Sequence, residues 1–209
     1  MRYLLIVIFL FPCFVFGQTA PDSYAIYSKF LKVYKTNNRI RRHFLVKGST
    51  DQFSKYDTTE LKQLTKGMRS YLKGDKHALA ELGMFGSFAD MVKKDTLWVP
   101  LIIELDRVIK NDFIVKKKFH GVKTSIITQS EYDKYFKDGR SRKAWLTFHL
   151  KYSKKSAIIG LSEIAEDGKR AVFNFESNYG ELGGEGGLVL FYKENSEWKF
   201  LMYLRIWQA

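Results

Sequence analysis

The segment Gly180-Glu-Leu-Gly-Gly-Glu-Gly-Gly187 has the composition of a ligand-binding loop. Glycines let backbone N–H groups converge on an anion. Three details oppose a phosphate loop: no Gly-Lys-Ser/Thr ending is present, Val189 stands where a dinucleotide-binding pattern needs its last glycine, and Glu181 and Glu185 would repel phosphate. We predict a turn or bulge between two strands, with positive φ at some of the glycines, and keep a ligand loop as the alternative.

Carboxylates are frequent in the same half of the chain, and an acid/base pair for glycoside hydrolysis would need two of them at a fixed separation. The sequence does not supply that separation. Glu166 and Asp167 are typical of a turn, and Glu176 is expected to face solvent on a strand. The full set of acidic candidates is Glu163, Glu166, Asp167, Glu176, Glu181 and Glu185.

Histidine and serine patterns do not predict catalysis or metal binding. The four histidines stand singly at positions 43, 77, 120 and 149, with no His-Glu-x-x-His sequence. Gly86-Ser87-Phe88 lacks the second glycine of a nucleophile elbow. Ser162 is expected to be a hydrogen-bonding strand residue. We therefore assign no catalytic residue, no metal ligand and no cofactor from the sequence.

Basic residues form clusters in a chain of net charge +13. If the clusters converge, they would attract anionic lipid headgroups, polysaccharide or nucleic acid without sequence recognition. The alternative, which we favour, is separate solvated faces. The anion-binding candidates are Lys116, Lys117, Lys118, Arg140, Arg142 and Lys143, with further basic residues at Arg39, Arg41, Arg42, Lys154 and Lys155. The aromatic residues among them, Trp145, Phe148 and Tyr152, are expected in the core.

The first 17 residues have the anatomy of a secretory signal peptide. Arg2 precedes an apolar run, and the small residue Gly17 precedes Gln18. The run is short of the roughly 20 residues that span a bilayer, which opposes a transmembrane anchor. Cys13 would be acylated in a lipoprotein, but Phe11 and Pro12 stand where small residues normally precede such a cysteine. We predict cleavage near Gly17/Gln18 and a periplasmic or extracellular protein.

Cleavage would leave residues 18–209 with a net charge of +12 and no cysteine, because Cys13 is the only one. The mature chain would then have neither a disulfide nor a thiolate metal site. Its length and its 16% aromatic content suit one domain with a packed core.

Helical spacing of apolar residues dominates residues 18–152. The predicted helical segments are Tyr24 to Tyr34, Asp57 to Leu72 with an end at Gly74, a second start at Asp75, Trp98 to Ile109, Glu131 to Phe136 with Ser130 as a cap, and Trp145 to Tyr152. The Trp98 segment is also compatible with a buried strand. Gly83 to Ser87 is predicted to be a bend.

Alternating spacing dominates residues 153–209 and predicts four strands, at 157–164, 170–178, 187–193 and 198–207. In the last strand Trp198, Phe200, Met202, Leu204 and Ile206 are expected on one face. His43 to Lys47 is compatible with a strand, and 113–119 with 122–128 suit a hairpin or two edge strands. The predicted fold is α+β: a helical N-terminal part covers one face of a C-terminal antiparallel meander. A cystatin-like cone is one architecture that fits this order.

Residues 120–209 contain four loose motifs: an aromatic helix (Trp145 to Phe148), a serine-bearing strand (Ile158 to Ile164), the Gly180 to Gly186 turn, and a closing tryptophan hairpin (Trp198 and Trp207). In these motifs the second half resembles a family of uncharacterised exported bacterial proteins. Relatives often carry cysteines or small residues near the positions of Gly180 and Gly183. This chain has no cysteine there, so a metal or disulfide role does not transfer. The family implies a fold and no activity.

These observations predict a monomeric or weakly associating, non-enzymatic binding or accessory protein of the cell envelope. The alternative is a secreted or periplasmic hydrolase whose site the sequence does not reveal. An apolar pocket or a flat basic face would favour binding, whereas a cleft with convergent catalytic side chains would favour hydrolysis.

Overall fold

A computed structural model describes residues 23–37, 43–47, 55–75, 77–78, 86–109, 115, 119–154 and 156–209. The predicted signal peptide and its cleavage point lie outside these residues. The helices are α1 (Ser23–Asn37), α2 (Lys55–Leu72), α3 (Gly86–Lys94), α4 (Trp98–Val108), α5 (Gln129–Phe136) and α6 (Arg142–Tyr152). The strands are β1 (His43–Lys47), β2 (Thr124–Ile127), β3 (Ser156–Leu161), β4 (Ala165–Glu166), β5 (Arg170–Asn178), β6 (Gly184–Glu194) and β7 (Glu197–Gln208). The α+β class and the change of period near Ser156 are confirmed.

The strands form one mixed sheet in the order β2-β1-β3-β5-β6-β7, and the short β4 pairs with β5 beside this path. The pairings of β3 with β5, β5 with β6 and β6 with β7 are antiparallel, as predicted. In contrast, β1 runs parallel to both β2 and β3. The segment 122–128 therefore contributes a parallel strand beside β1. Of 113–119, Val115 and Phe119 are described, and neither lies in a strand.

Helices cover both faces of the sheet, which corrects the expectation of one covered face. Of the helices in the described ranges, α1 is the one that lies against the first face, where Tyr27 and Phe30 pack on Phe173 of β5. The reason is visible in β3 and β5, whose residues are buried on both sides of the strand. Packing of α1 through Tyr27, Leu31 and Tyr34 agrees with its predicted stripe. The cystatin-like arrangement stays a prediction.

The second face carries two separate groups of helices. Helices α2, α3 and α4 pack through Met68, Val92 and Leu105 against the β5, β6 and β7 side of the sheet. Helices α5 and α6 pack through Phe136 and Phe148 against β1, β2 and β3. The two groups bury different clusters, so the middle of this face, along β1, β3 and β5, lies between them.

Two β-bulges in the pairing of β6 with β7 correct the predicted faces of the last strand. The register shifts between Leu190 and Phe191 and again between Gly186 and Gly187. As a result Trp198 and Phe200 belong to the α1 side, whereas Leu204 and Ile206 belong to the α2–α4 side. Each extra residue in β7 reverses the alternation beyond it, and simple period-two spacing does not anticipate this.

Local signals placed most helices correctly but missed some ends. Thr128, not Ser130, caps α5, because its hydroxyl accepts a hydrogen bond from the Glu131 amide. Helix α3 begins at Gly86, inside the segment predicted as a bend. A further helix was expected after Asp75; of that segment residues 77–78 are described, and they form a turn. The Trp98 segment is helical as favoured. No helix in the described ranges is long and apolar enough to cross a bilayer.

Candidate functional site

A row of polar residues crosses the sheet between the two helix groups. The Nζ of Lys47 on β1 lies 2.7 Å from Oε1 of Glu176 on β5, and both side chains are almost completely buried. Strand β3 separates β1 from β5, and its Gly160 is paired with Glu176. A Cβ at Gly160 would lie 2.6 Å from Cγ of Glu176. The ion pair therefore forms above β3 because residue 160 has no side chain.

Tyr132 of α5 connects this ion pair to Arg140. The Lys47 ammonium lies 5.5 Å from the centre of the Tyr132 ring. Arg140 in turn donates from Nε to the Tyr132 hydroxyl at 3.4 Å and from Nη1 to Oδ1 of Asn178 at 2.5 Å. Asn178 lies two residues after Glu176 on β5, on the same face. The five residues Lys47, Glu176, Tyr132, Arg140 and Asn178 form one polar network, which we call the Glu176 network.

The Glu176 network reaches a cavity of about 550 Å³ beside the Gly180–Gly184 turn, which we call the turn cavity. Arg140 and Asn178 lie in both. Leu182 and Trp207 supply apolar wall, and Leu182 is 82% exposed. The volume is typical of a small-molecule site. The complete lining is Arg140, Asn178, Gly180, Glu181, Leu182, Gly183, Gly184, Trp207, Gln208 and Ala209.

Two polar atoms of the network are buried without a hydrogen-bond partner among the described residues. They are Oε2 of Glu176 and Nδ2 of Asn178. A buried polar atom without a partner costs free energy, so such atoms call for an explanation. Asn178 lines the turn cavity, its Oδ1 accepts from Arg140, and its Nδ2 is buried beside that contact. Arg140 has no ion-pair partner in the described part of the chain.

Glu176 corrects the prediction of a solvent-facing carboxylate, because it is 0% exposed. Asp167 lies in the β4–β5 turn as expected and accepts from the amides of Lys169 and Arg170, whereas Glu166 is the last residue of β4 and pairs with Ala171. Burial raises the pKa of Glu166. Burial also acts to raise the pKa of Asp167, but its hydrogen bonds from Lys169 and Arg170 outweigh this and hold it below the usual value.

Glu185 lies on the opposite face of the sheet from Glu176. It accepts a hydrogen bond from the Tyr34 hydroxyl at 2.5 Å, and its other oxygen lies 3.6 Å from Arg205. Glu163 and Glu181 are exposed. Among the described residues, Glu176 and Glu185 are therefore separated by the sheet and do not face each other across a cleft.

The glycine segment forms a turn and a bulge, as predicted, but its glycines are required for close packing and not for positive φ. The amides of Tyr179 and Gly180 donate to the Gly183 carbonyl, and the bulge follows at Gly186 and Gly187. None of these glycines has positive φ, which corrects that part of the prediction. Close approach is the reason for Gly187, where a Cβ would lie 2.0 Å from the Leu204 carbonyl oxygen.

Ser162 has the structural role expected for it. Its hydroxyl donates to the Glu163 carbonyl and accepts from the Asn174 amide, and its own carbonyl accepts from Tyr27. The histidines remain apart: His43 contacts Ser125, whereas His77 and His120 are exposed. No group of three His, Cys, Asp or Glu side chains in the described ranges is arranged to hold a metal ion.

The basic candidates do not act alike. Lys116, Lys117 and Lys118 lie outside the described residues. Arg140 is partly buried in the Glu176 network, whereas Arg142 and Lys143 are exposed in the first turn of α6.

A second cavity, of about 690 Å³, lies beside the β4–β5 turn and α3. Arg170 occupies it, bonded to Asp95 at 2.6 Å and to Asp167 at 2.8 Å. Both ion pairs of this cation are with carboxylates, so the guanidinium is already neutralised. The turn cavity, with its unneutralised Arg140, is the stronger candidate.

Comparisons with known proteins found no match to this chain, whether with family models, curated proteins or solved structures. The turn cavity and the Glu176 network thus stand on geometry alone. The sequence contained two usable signals: the glycines and carboxylates between Glu176 and Glu185, and the basic cluster that includes Arg140. It did not reveal Lys47 and Tyr132, because they reach the site only through the parallel pairing of β1 and the packing of α5.

Proposed function

We propose that this chain is an exported, non-enzymatic binding or accessory module of the cell envelope and that the turn cavity holds its ligand. The observation that carries the proposal is the pairing of Arg140 and Asn178 at a cavity to which Leu182 and Trp207 contribute apolar surface. Concave, largely apolar sites with a few fixed polar groups are typical of ligand binding. Export rests on the leader sequence, and the resemblance to exported bacterial proteins agrees with it.

The lining favours a neutral, hydroxyl-rich ligand, and we propose a short saccharide. Arg140 is a donor, whereas Glu181 is an acceptor and Gln208 can be either. The one cationic and the one anionic side chain of the lining balance each other in charge. A hydroxyl group donates and accepts, so it suits this mixture, and Leu182 with Trp207 suits the apolar face of a sugar ring.

Binding is favoured over hydrolysis by the composition of the lining. Glycoside hydrolysis uses two carboxyl groups on either side of the bond that breaks. Glu181 is the one carboxylate side chain among the described residues that line the turn cavity, and it is exposed. Catalytic turnover of a bound disaccharide would contradict the proposal and can be measured as released reducing ends.

Trp207 provides a direct test, because it lines the turn cavity while the other three tryptophans are buried. Iodide should quench the fluorescence of Trp207 most strongly. We expect maltose, cellobiose or N,N′-diacetylchitobiose to protect it in a saturable manner. Arg140→Gln should abolish this protection, whereas Arg142→Gln, which changes an exposed arginine outside the cavity, should retain it. Lack of protection by all three sugars, or equal protection in both variants, would refute the ligand class.

A further inference from the structure

The outer face of α6 presents two leucines to solvent. Leu146 is 56% exposed and Leu150 is 88% exposed, while Trp145 and Phe148 of the same helix are buried. The two leucines are one helical turn apart, so they lie side by side. Lys143 precedes them by three residues and Lys154 follows by four, and both are exposed. On α6 the stripe therefore runs Lys143, Leu146 and Leu150, and Lys154 follows in the turn beyond the helix end at Tyr152.

The charged residues of this helix are all basic, and two of them lie where a positive charge destabilises a helix. Helix α6 contains no acidic residue, and Arg142 and Lys143 occupy its first turn. Cations at a helix N-terminus oppose the helix dipole, which favours anions there. Lys151, on the neighbouring side, is paired with Glu131 at 2.8 Å. Arg142, Lys143 and Lys154 have no ion-pair partner in the described part of the chain.

We propose that this face of α6 lies on an anionic lipid surface. Interfacial helices bury an apolar side at the boundary between headgroups and acyl chains while their lysines and arginines contact the anionic headgroups. Leu146 and Leu150 would enter that boundary, and Arg142, Lys143 and Lys154 would contact the headgroups. A soluble polyanion offers charge without an apolar phase, so it accounts for the basic residues but not for the exposed leucines. The surface is separate from the turn cavity, whose lining includes no residue of α6.

A positional probe tests this surface directly. Leu150→Trp places an indole on the stripe, and Leu72→Trp places one at a leucine of α2 that is 55% exposed. Vesicles of phosphatidylglycerol and phosphatidylcholine with brominated acyl chains are the probe, and quenching reports contact with the acyl region. We expect quenching of the added fluorescence for Leu150→Trp and none for Leu72→Trp. Quenching reports the position of the added indole, so residues 1–17, which both variants share, do not affect the comparison.

Partition of the protein onto the same vesicles distinguishes the contribution of the leucines from that of the basic residues. All variants have the same N-terminus. Leu146→Ser/Leu150→Ser should weaken partition about tenfold or more, since each tenfold corresponds to about 1.4 kcal/mol. Leu72→Ser/Leu97→Ser removes leucines of about half exposure elsewhere and should change partition less than about twofold. Arg142→Gln/Lys143→Gln/Lys154→Gln should weaken it more than the equal charge change Lys62→Gln/Lys66→Gln/Lys73→Gln.

Equal quenching at positions 150 and 72, or equal partition of the two leucine variants, would overturn the proposal. Dextran sulfate tests the alternative partner. If it changes the emission of the Leu150→Trp protein as much as anionic vesicles do, the face recognises a polyanion and the lipid assignment is wrong.

Discussion

The ammonium group of Lys47 lies 2.7 Å from the carboxylate of Glu176 even though strand β3 separates the two strands that carry them. Their side chains meet above Gly160 of β3, where a side chain would block them. The pair belongs to the face between the two helix groups and connects through Tyr132 to Arg140. A charge pair buried in the sheet thus supports one wall of the turn cavity.

Removing one charge of this pair should strongly destabilise the protein. Glu176→Gln leaves the buried ammonium of Lys47 beside a neutral amide, and breaking such a pair costs about 3 to 5 kcal/mol. The free energy of unfolding, measured by urea denaturation, should fall by that amount. Glu197→Gln, in the exposed pair with Lys199, is the control and should cause little change. Similar small losses in both variants would mean that the Lys47–Glu176 contact does not support the fold.

Gly160→Ala should destabilise the protein through the same contact. The added methyl would lie 2.6 Å from Cγ of Glu176, and overpacking of this kind costs about 1 to 3 kcal/mol. In Glu176→Ala the Cγ is absent, so Gly160→Ala should cost much less in that background, and urea denaturation of the four proteins gives the coupling. Gly86→Ala is the control, because a Cβ there meets no atom within 4 Å. Additive effects at 160 and 176 would contradict the arrangement.

The sequence predicted the parts of the fold that depend on local spacing. The strands β5, β6 and β7 and the helices α1, α2, α4 and α6 follow from apolar periodicity, which is a property of neighbouring residues. The sequence did not predict α3, because Gly86 is a residue type that usually ends helices. It did not predict the bulges of β7 either, because a bulge has no periodic sequence pattern. Glu176 was misplaced for another reason: its burial depends on Lys47, 129 residues away in the chain. Parallel pairing of β1 supplies that partner, and no local pattern encodes it.

Trp198 should matter more for stability than its neighbour Leu201. The bulge at Leu190 and Phe191 directs Trp198 toward the α1 side, where it is 9% exposed, and leaves Leu201 38% exposed. Trp198→Ala should lower the free energy of unfolding by about 3 to 5 kcal/mol through cavity formation. Leu201→Ala should cost clearly less. A larger loss at 201 than at 198 would show that the alternation of β7 is not reset by the bulge.

His43 should make stability depend on pH in the mildly acidic range. Burial, and then the charge of Lys123, lower the pKa of His43. The unfolded chain, with a histidine pKa of about 6.5, therefore binds a proton more readily than the folded protein. The stabilisation is fully present above about pH 6.5 and is lost as the pH falls toward the lower folded value.

Urea denaturation between about pH 7.5 and 5 measures this effect. His43→Gln should flatten the fall in unfolding free energy, and His77→Gln, at an exposed histidine, should leave it as in the wild type. If the unfolding free energy of the His43→Gln protein falls with pH as steeply as that of the wild type, protonation of His43 does not destabilise the protein.

The most direct test of the proposed binding function is an NMR titration that follows the glycine amides and the tryptophan indole N–H groups. With maltose, cellobiose or N,N′-diacetylchitobiose as the ligand, we predict saturable shifts at Gly180, Gly183, Gly184 and Trp207, which line the turn cavity. Glycines of turns away from the cavity, Gly74 and Gly168, should not shift. Saturable shifts confined to the first group would support a saccharide site at Arg140 and Asn178, whereas no saturable shift with any of the three sugars, or equal shifts in both groups, would contradict it.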